Sequence, residues 1–208
     1  MATFLGNIRY VAWTGIALAL IFLLAYGVAG QGRGLTDYGV VQAFLRWSHV
    51  LAGIMWIGHL YYFNFTQMPN VPKIPEEHRG PAISKVIAPA ALYWFRHGAA
   101  VTLVTGIALA WHSGYLIEAY TLGLSESFAT PKHIFIGIGM WLATIMFINV
   151  WAIIWPNQQR ALNIDDRFPD LTKEQRAGHA KTAMLFSRTN TLLSLPMLIA
   201  MTGAQILN

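Results

Sequence analysis

Residues 46–65 read RWSHVLAGIMWIGHLYYFNF. A helix rises ~1.5 Å per residue, so about 20 apolar residues cross the hydrocarbon of a bilayer. This run is long enough and apolar enough to do so. Two histidines, His49 and His59, interrupt it. Imidazole is costly in lipid, so each is expected to face a partner helix, a metal or a cofactor.

The rest of the chain has the same character. Of its 208 residues, 55% are hydrophobic and 11% are charged. A soluble domain carries roughly twice that charged fraction. The expected fold class is therefore all-α, a polytopic membrane protein built as one helical-bundle domain over residues 1–208. Five membrane-crossing segments are expected, at about 11–29, 40–65, 88–115, 133–155 and 183–207. The first is too long in its apolar run for a signal peptide. The fourth is expected to stop at Pro156, because proline lacks the N–H a helix needs. Thr172 followed by Gln175 reads as a capping box, so the fifth helix can begin early, in water. Thr102, Gly106 and Ala110 recur every four residues, a face that permits close helix contact.

Charge sets the expected orientation. Arg9, Lys73, Arg79, Lys85, Arg160, Arg167, Lys173, Arg176, Lys181 and Arg188 fall on one side of the five segments. Arg33 and Lys132, with Arg46 close by, fall on the other. The positive-inside rule then puts the N-terminus in the cytoplasm and the C-terminus in the periplasm. The net charge of +5 is concentrated in loops and does not point to nucleic acid. The chain has no cysteine, which excludes disulfides, thiolate metal sites, iron–sulfur clusters and thioether-attached haem within it.

Depth arithmetic narrows the chemistry. His49 and His59 lie about 15 Å apart along one helix, and His97 and His112 about 22 Å apart along the next, antiparallel one. Matching depth pairs His59 with His97 and His49 with His112. His133, at the start of the fourth segment, is a further candidate for His49. An earlier start of the third segment brings His97 to His49 instead. Two imidazoles facing one another across a bundle make a b-type haem site, with His49 and His97 as the leading iron ligands. Arg46 and Arg96 stand near the two ends, where haem propionates need cations. Trp47, Trp56, Tyr61, Tyr62 and Trp94 supply flat apolar walls. The competing expectation is that these histidines bond a hydroxyl or a backbone carbonyl of a neighbouring helix, and that Asn64, Asn149 and Asn190 do the same. A metal-hydrolase site is not expected, because the membrane segments carry no Asp or Glu beside the histidines.

Four runs occur in order: RWSHVLAGIMWIGHLYYFNF, LYWFRHGAAVTLVTGIAL, IGIGMWLATIMFINVWAIIWPNQQRAL and SRTNTLLSLPMLIAM. Together they resemble the membrane domain of the bacterial membrane-bound urate oxidase, also called cytochrome-c-linked urate hydroxylase. The resemblance covers about Val41 to Met201. Its most specific pieces are Asn149–Val150–Trp151, Trp155–Pro156–Asn157–Gln158, and Ser187–Arg188 with Asn190 and Pro196. It implies a bacterial inner-membrane location. In that family a periplasmic cytochrome c domain follows the membrane domain, and this sequence reads as a short form without it.

The leading functional expectation is a membrane subunit that binds haem b and passes electrons to a separate cytochrome or enzyme partner. The alternative is a haem-free accessory subunit of a larger membrane complex, whether respiratory, photosynthetic or oxygenase. A weaker alternative is a self-contained enzyme, a urate hydroxylase or one resembling protoporphyrinogen oxidase.

Overall fold

The computed structural model describes residues 2–204 and 206. Met1, Gln205, Leu207 and Asn208 lie outside the described residues, and with them the expected end of the fifth segment at residue 207. Among the described residues there is no strand. Five long helices follow the five expected segments: α1 (Ile8–Gly30), α2 (Tyr38–Lys73), α3 (Ala88–His112), α4 (Pro131–Leu162) and α5 (Lys173–Gly203). α1, α2 and α4 are long and apolar enough to cross a membrane. These features support a helical membrane protein. The chain divides into two compact units, one up to Ser48 and one from His49 onward, with the boundary inside α2.

In the first unit, Asn7 caps α1, its side-chain oxygen accepting from the Arg9 N–H at 3.0 Å. α1 is apolar on every side, with Trp13 and Phe22 exposed. It ends in widened turns over Ala25–Gly30. A Cβ on Gly27 would lie 3.1 Å from Val40 Cγ2, so glycine lets α1 approach the start of α2. Asp37 sets that start by accepting from the Gly39 N–H at 2.9 Å and pairing with Arg33 at 3.3 Å.

In the second unit, α2 continues past Phe65 through widened turns at Tyr62–Gln67. α4 likewise continues past Pro156 to Leu162. The reason is local: turns at Asn149–Ile154 are widened just before the proline, which shifts the hydrogen-bond pattern that proline would otherwise break. α4 stops instead at Asn163, in the left-handed region with φ 49°. α5 starts on the expected capping box, Thr172 with Gln175. The same helix end holds the Glu174 carboxyl below its usual range, first through backbone N–H and then through the Thr172 hydroxyl.

Polar side chains tie the helices of this unit together. Asn149 Nδ2 donates to Asn190 Oδ1 at 2.9 Å, and Asn190 Nδ2 donates to the Met146 carbonyl at 2.9 Å. Asn64 Nδ2 donates to Ser187 Oγ at 2.8 Å, and the Tyr61 hydroxyl meets Ser194 Oγ at 2.9 Å. Asn190 and Ser194 are fully buried. The three asparagines thus make the expected interhelical bonds, joining α2, α4 and α5. Around them pack Trp56, Leu60, Phe95, Met146 and Val150. Gly139 brings α4 against Ala200 of α5, where an added Cβ would sit 3.1 Å from the alanine methyl.

Asn190→Leu removes both bonds and strands the Asn149 amide in the core. A buried donor without a partner costs about 1–3 kcal/mol. The variant is expected to unfold at lower temperature than wild type in detergent, by circular dichroism, whereas Thr189→Leu, on the exposed side, leaves the midpoint unchanged.

Candidate functional site

The histidines of α2 and α3 are placed by how closely these two helices approach. A Cβ on Gly98 would lie 3.1 Å from the backbone nitrogen of Trp56. About two turns along α3, a Cβ on Gly106 would lie 2.8 Å from His49 Cε1. The His49 ring occupies the space that any other side chain at position 106 would fill. From there its Nδ1 donates to the Thr102 carbonyl at 2.9 Å, with the Thr105 hydroxyl 3.5 Å away. A helical carbonyl points along the axis toward the residue four positions on, so glycine at 106 uncovers the carbonyl of 102. Thr102 Cγ2 stands against Gly53 of α2. At Thr102 and Gly106 the recurring small face of α3 therefore meets α2, while Ala110 packs with Ala119, Ile136 and Met140.

The other rings go elsewhere. His59 Nδ1 donates to the Met55 carbonyl of its own helix at 2.7 Å. His97 Nδ1 donates to the Tyr93 carbonyl at 2.8 Å, and its ring packs edge-on to Trp151 of α4 at 6.0 Å. His133 Nδ1 donates to Glu126 Oε1 at 2.7 Å, with its ring stacked on Tyr115 at 5.9 Å. His112 is half-buried in the last turn of α3. Antiparallel packing with Trp56 opposite Gly98 puts His59 and His97 within about a turn of the same depth. Their rings nevertheless meet different surroundings: His97 faces α4, and His59 lines a groove.

That groove is a cavity of about 530 Å³ between α2 and α3, lined among others by Met55, Gly58, His59, Tyr62, Ala91 and Trp94. A Cβ on Gly58 would meet nothing within 4 Å. Volumes of this order suit a small organic ligand or cofactor. A carbonyl only accepts, so the bond to Met55 fixes the proton on His59 Nδ1 and leaves a lone pair on Nε2. Of the aromatic residues singled out in the sequence, Tyr62 and Trp94 line the groove. Trp56 and Tyr61 do not line the groove: Trp56 is fully buried in the core, and Tyr61 bonds to Ser194.

The candidate propionate partners divide in the same way. The Arg96 guanidinium lies 3.8 Å over the Trp155 ring and 5.4 Å from that of Tyr93. This is a cation–π arrangement. Arg46 is exposed in the first unit. Among the described residues, no group of three or more His, Asp or Glu side chains could hold a metal ion. His49, His59, His97 and His133 each donate through Nδ1 and keep a lone pair on Nε2. Of the four, His59 is the one that lines the groove.

Sequence reasoning missed a second feature in the loop between α3 and α4. Glu126 reaches both His133 and the Thr130 hydroxyl, which donates to Oε2 at 3.2 Å. The spacing Glu126–Thr130–His133 was the available signal, but no periodicity marks a loop of this kind. The short helix Leu116–Tyr120 packs beside it. Trp141 Nε1 donates to the Tyr120 carbonyl at 2.9 Å, and the Ala119 carbonyl rests on Gly137.

Both this loop and the α4–α5 seam lie in the stretch that matches a known family. Residues 111–206 match the family described as urate oxidase N-terminal. The match is consistent with a member of that family and agrees with the resemblance read from the sequence. It spans a little under half of the chain, takes in α4 and α5, and begins just after α3's contacts with α2. No curated protein and no solved structure matches the chain.

The His49 geometry gives a paired expectation. Gly106→Ala in wild type pushes the added methyl into the imidazole and lowers the unfolding midpoint. In a His49→Ala background the same change is nearly silent, because the ring is gone. A double-mutant cycle on thermal unfolding is expected to show coupling of about 1 kcal/mol or more; additive effects would mean that the two residues do not touch.

Proposed function

We propose that this chain is a membrane-embedded electron-transfer subunit of urate-oxidase N-terminal type that carries one haem b in the α2–α3 groove. The observation that carries the reading is His59. Its Nε2 keeps a lone pair beside a groove of about 530 Å³ with aromatic walls, and of the candidate histidines His59 is the one that lines that groove. Bound there, the haem supplies one-electron redox chemistry. This chain's residues bind and orient it. Met55 fixes the His59 tautomer, Gly58 and Ala91 leave room, Tyr62 and Trp94 flank, and the apolar walls hold water back.

The reading includes five crossings of a bacterial inner membrane, with the N-terminus in the cytoplasm. α3 and α5 fall short in mean hydropathy, and burial supports counting them. On α5 the polar residues Ser187, Asn190 and Ser194 are buried, while Leu185, Leu192, Leu195 and Ile199 are exposed. On α3 the exposed residues include Val101, Val104 and Ile107. A helix that hides its polar groups and shows leucine outward is solvated by lipid. Arg188, exposed near the cytoplasmic end of the fifth apolar segment at 183–207, has the reach to snorkel to the headgroups. The ten basic residues on one side and the few on the other support the orientation. Electrons pass to a separate cytochrome or enzyme.

A second reading, a haem-free accessory subunit of a larger membrane complex, is favoured by one observation: the His49 bond to the Thr102 carbonyl is a packing role that needs no cofactor.

Optical spectra of purified variants separate the two. His59→Ala is expected to lower the bound-haem absorbance about tenfold or more while the protein stays folded. His49→Ala is expected to keep its haem and to unfold at lower temperature. Wild-type protein without haem, purified with a stable partner complex, supports the second reading instead.

A further inference from the structure

Glu126 sits in a loop whose backbone is held in an unusual way. Leu122, Ser127 and Phe128 have φ of 52°, 52° and 61°, in the left-handed region that side chains disfavour, and Gly123 has φ 79°. Bulky residues in that region cost of order 1–3 kcal/mol each and persist where the surroundings over-determine them. Here the distortion brings one carboxylate onto one imidazole. Glu126 Oε1 accepts from His133 Nδ1 at 2.7 Å, and Oε2 accepts from the Thr130 hydroxyl at 3.2 Å. Both partners are largely withdrawn from solvent, with side-chain exposures of 19% and 21%. The carboxylate is thus locked from two sides, and the imidazole is locked by the carboxylate and by the Tyr115 ring at 20° to it.

A carboxylate bonded to Nδ1–H fixes the tautomer with a lone pair on Nε2 and stabilises the imidazolium when Nε2 takes a proton. We propose that Glu126 and His133 form a proton-accepting dyad, with His133 Nε2 as the base and Glu126 as its positioning residue. The compounds it serves carry a weakly acidic N–H or O–H. In the step, that bond breaks, its electron pair stays with the compound, and the proton passes to Nε2. Nδ1–H remains donated to Glu126 throughout, and the proton then leaves Nε2 for water. The other titratable or charged groups on the neighbouring segments are His112, Tyr115, Glu118, Tyr120 and Lys132. The dyad lies wholly inside the stretch that matches the urate oxidase N-terminal family, whereas His49, His59 and His97 lie outside it. It stands independently of the haem reading, since none of its residues lines the α2–α3 groove.

Diethyl pyrocarbonate acylates the unprotonated nitrogen of imidazole, so its rate at each histidine reads the free lone pair. The full-length protein in detergent is treated at a pH about two units above the ordinary histidine range, so that the imidazoles are neutral and the rate reads Nε2 itself, and each histidine is followed by mass spectrometry. His133 is expected to react in the folded protein. Glu126→Gln keeps an acceptor for Nδ1–H but removes the charge that makes Nε2 the stronger base, and is expected to slow His133 severalfold while His78 and His179 react as before. Thr130→Ala keeps the charge and loosens only Oε2, so it is expected to slow His133 less; it serves as the test if Glu126→Gln does not fold. A His133 that resists the reagent in folded protein overturns the proposal. So does a His133 rate unchanged in Glu126→Gln, or unchanged in Thr130→Ala where Glu126→Gln does not fold.

Discussion

The close crossing of α2 and α3 is the constraint on which the site depends. It requires missing side chains at Gly98 and Gly106, because a Cβ at either would meet the backbone of Trp56 or the ring of His49. With the helices that close, His49 is drawn onto a backbone carbonyl and can no longer offer Nδ1 to anything else. The crossing also sets the antiparallel register. That register turns His97 toward Trp151 of α4 and leaves His59 on the opposite rim, facing open space. One packing decision therefore separates a histidine locked into a helix crossing from a histidine that lines a groove, ten residues apart on the same helix.

The second unit has a polar interior for its class. Asn64, Asn149, Asn190, Ser187 and Ser194 bond across three helices, and the outward faces carry leucine, isoleucine and valine. In water such an arrangement exposes large apolar surface at high cost. In lipid it is the economical one, since side chains outside need only be apolar and interhelical hydrogen bonds supply specificity. The same seam lies within the residues that match the urate oxidase N-terminal family, which makes the α4–α5 pair the part of the fold most directly tied to that family.

Much of this was legible in the sequence. Long apolar runs placed five helices close to where they stand, and Thr172 with Gln175 announced the start of α5. The small face at Thr102 and Gly106 announced a close helix contact, though not that its partner is α2. Two boundaries were not legible. Pro156 suggested a stop, but widened turns at Asn149–Ile154 absorb it, and such turns leave no compositional mark. α2 passed Phe65 for the same reason. The site was legible by depth and not by direction. His59 and His97 were rightly placed near one level, yet azimuth depends on crossing angle and on which glycines let helices touch, and neither follows from spacing. The Glu126–His133 pair was invisible, because left-handed residues such as Leu122 and Phe128 cannot be foreseen from residue type.

Electron paramagnetic resonance of the oxidised wild-type protein, with haem counted per chain, tests most directly whether His59 alone faces a cofactor. One haem b per chain with a high-spin ferric signal, as expected for a single imidazole ligand, is the predicted result. A low-spin signal from two imidazoles, or folded protein that carries no haem, would contradict it.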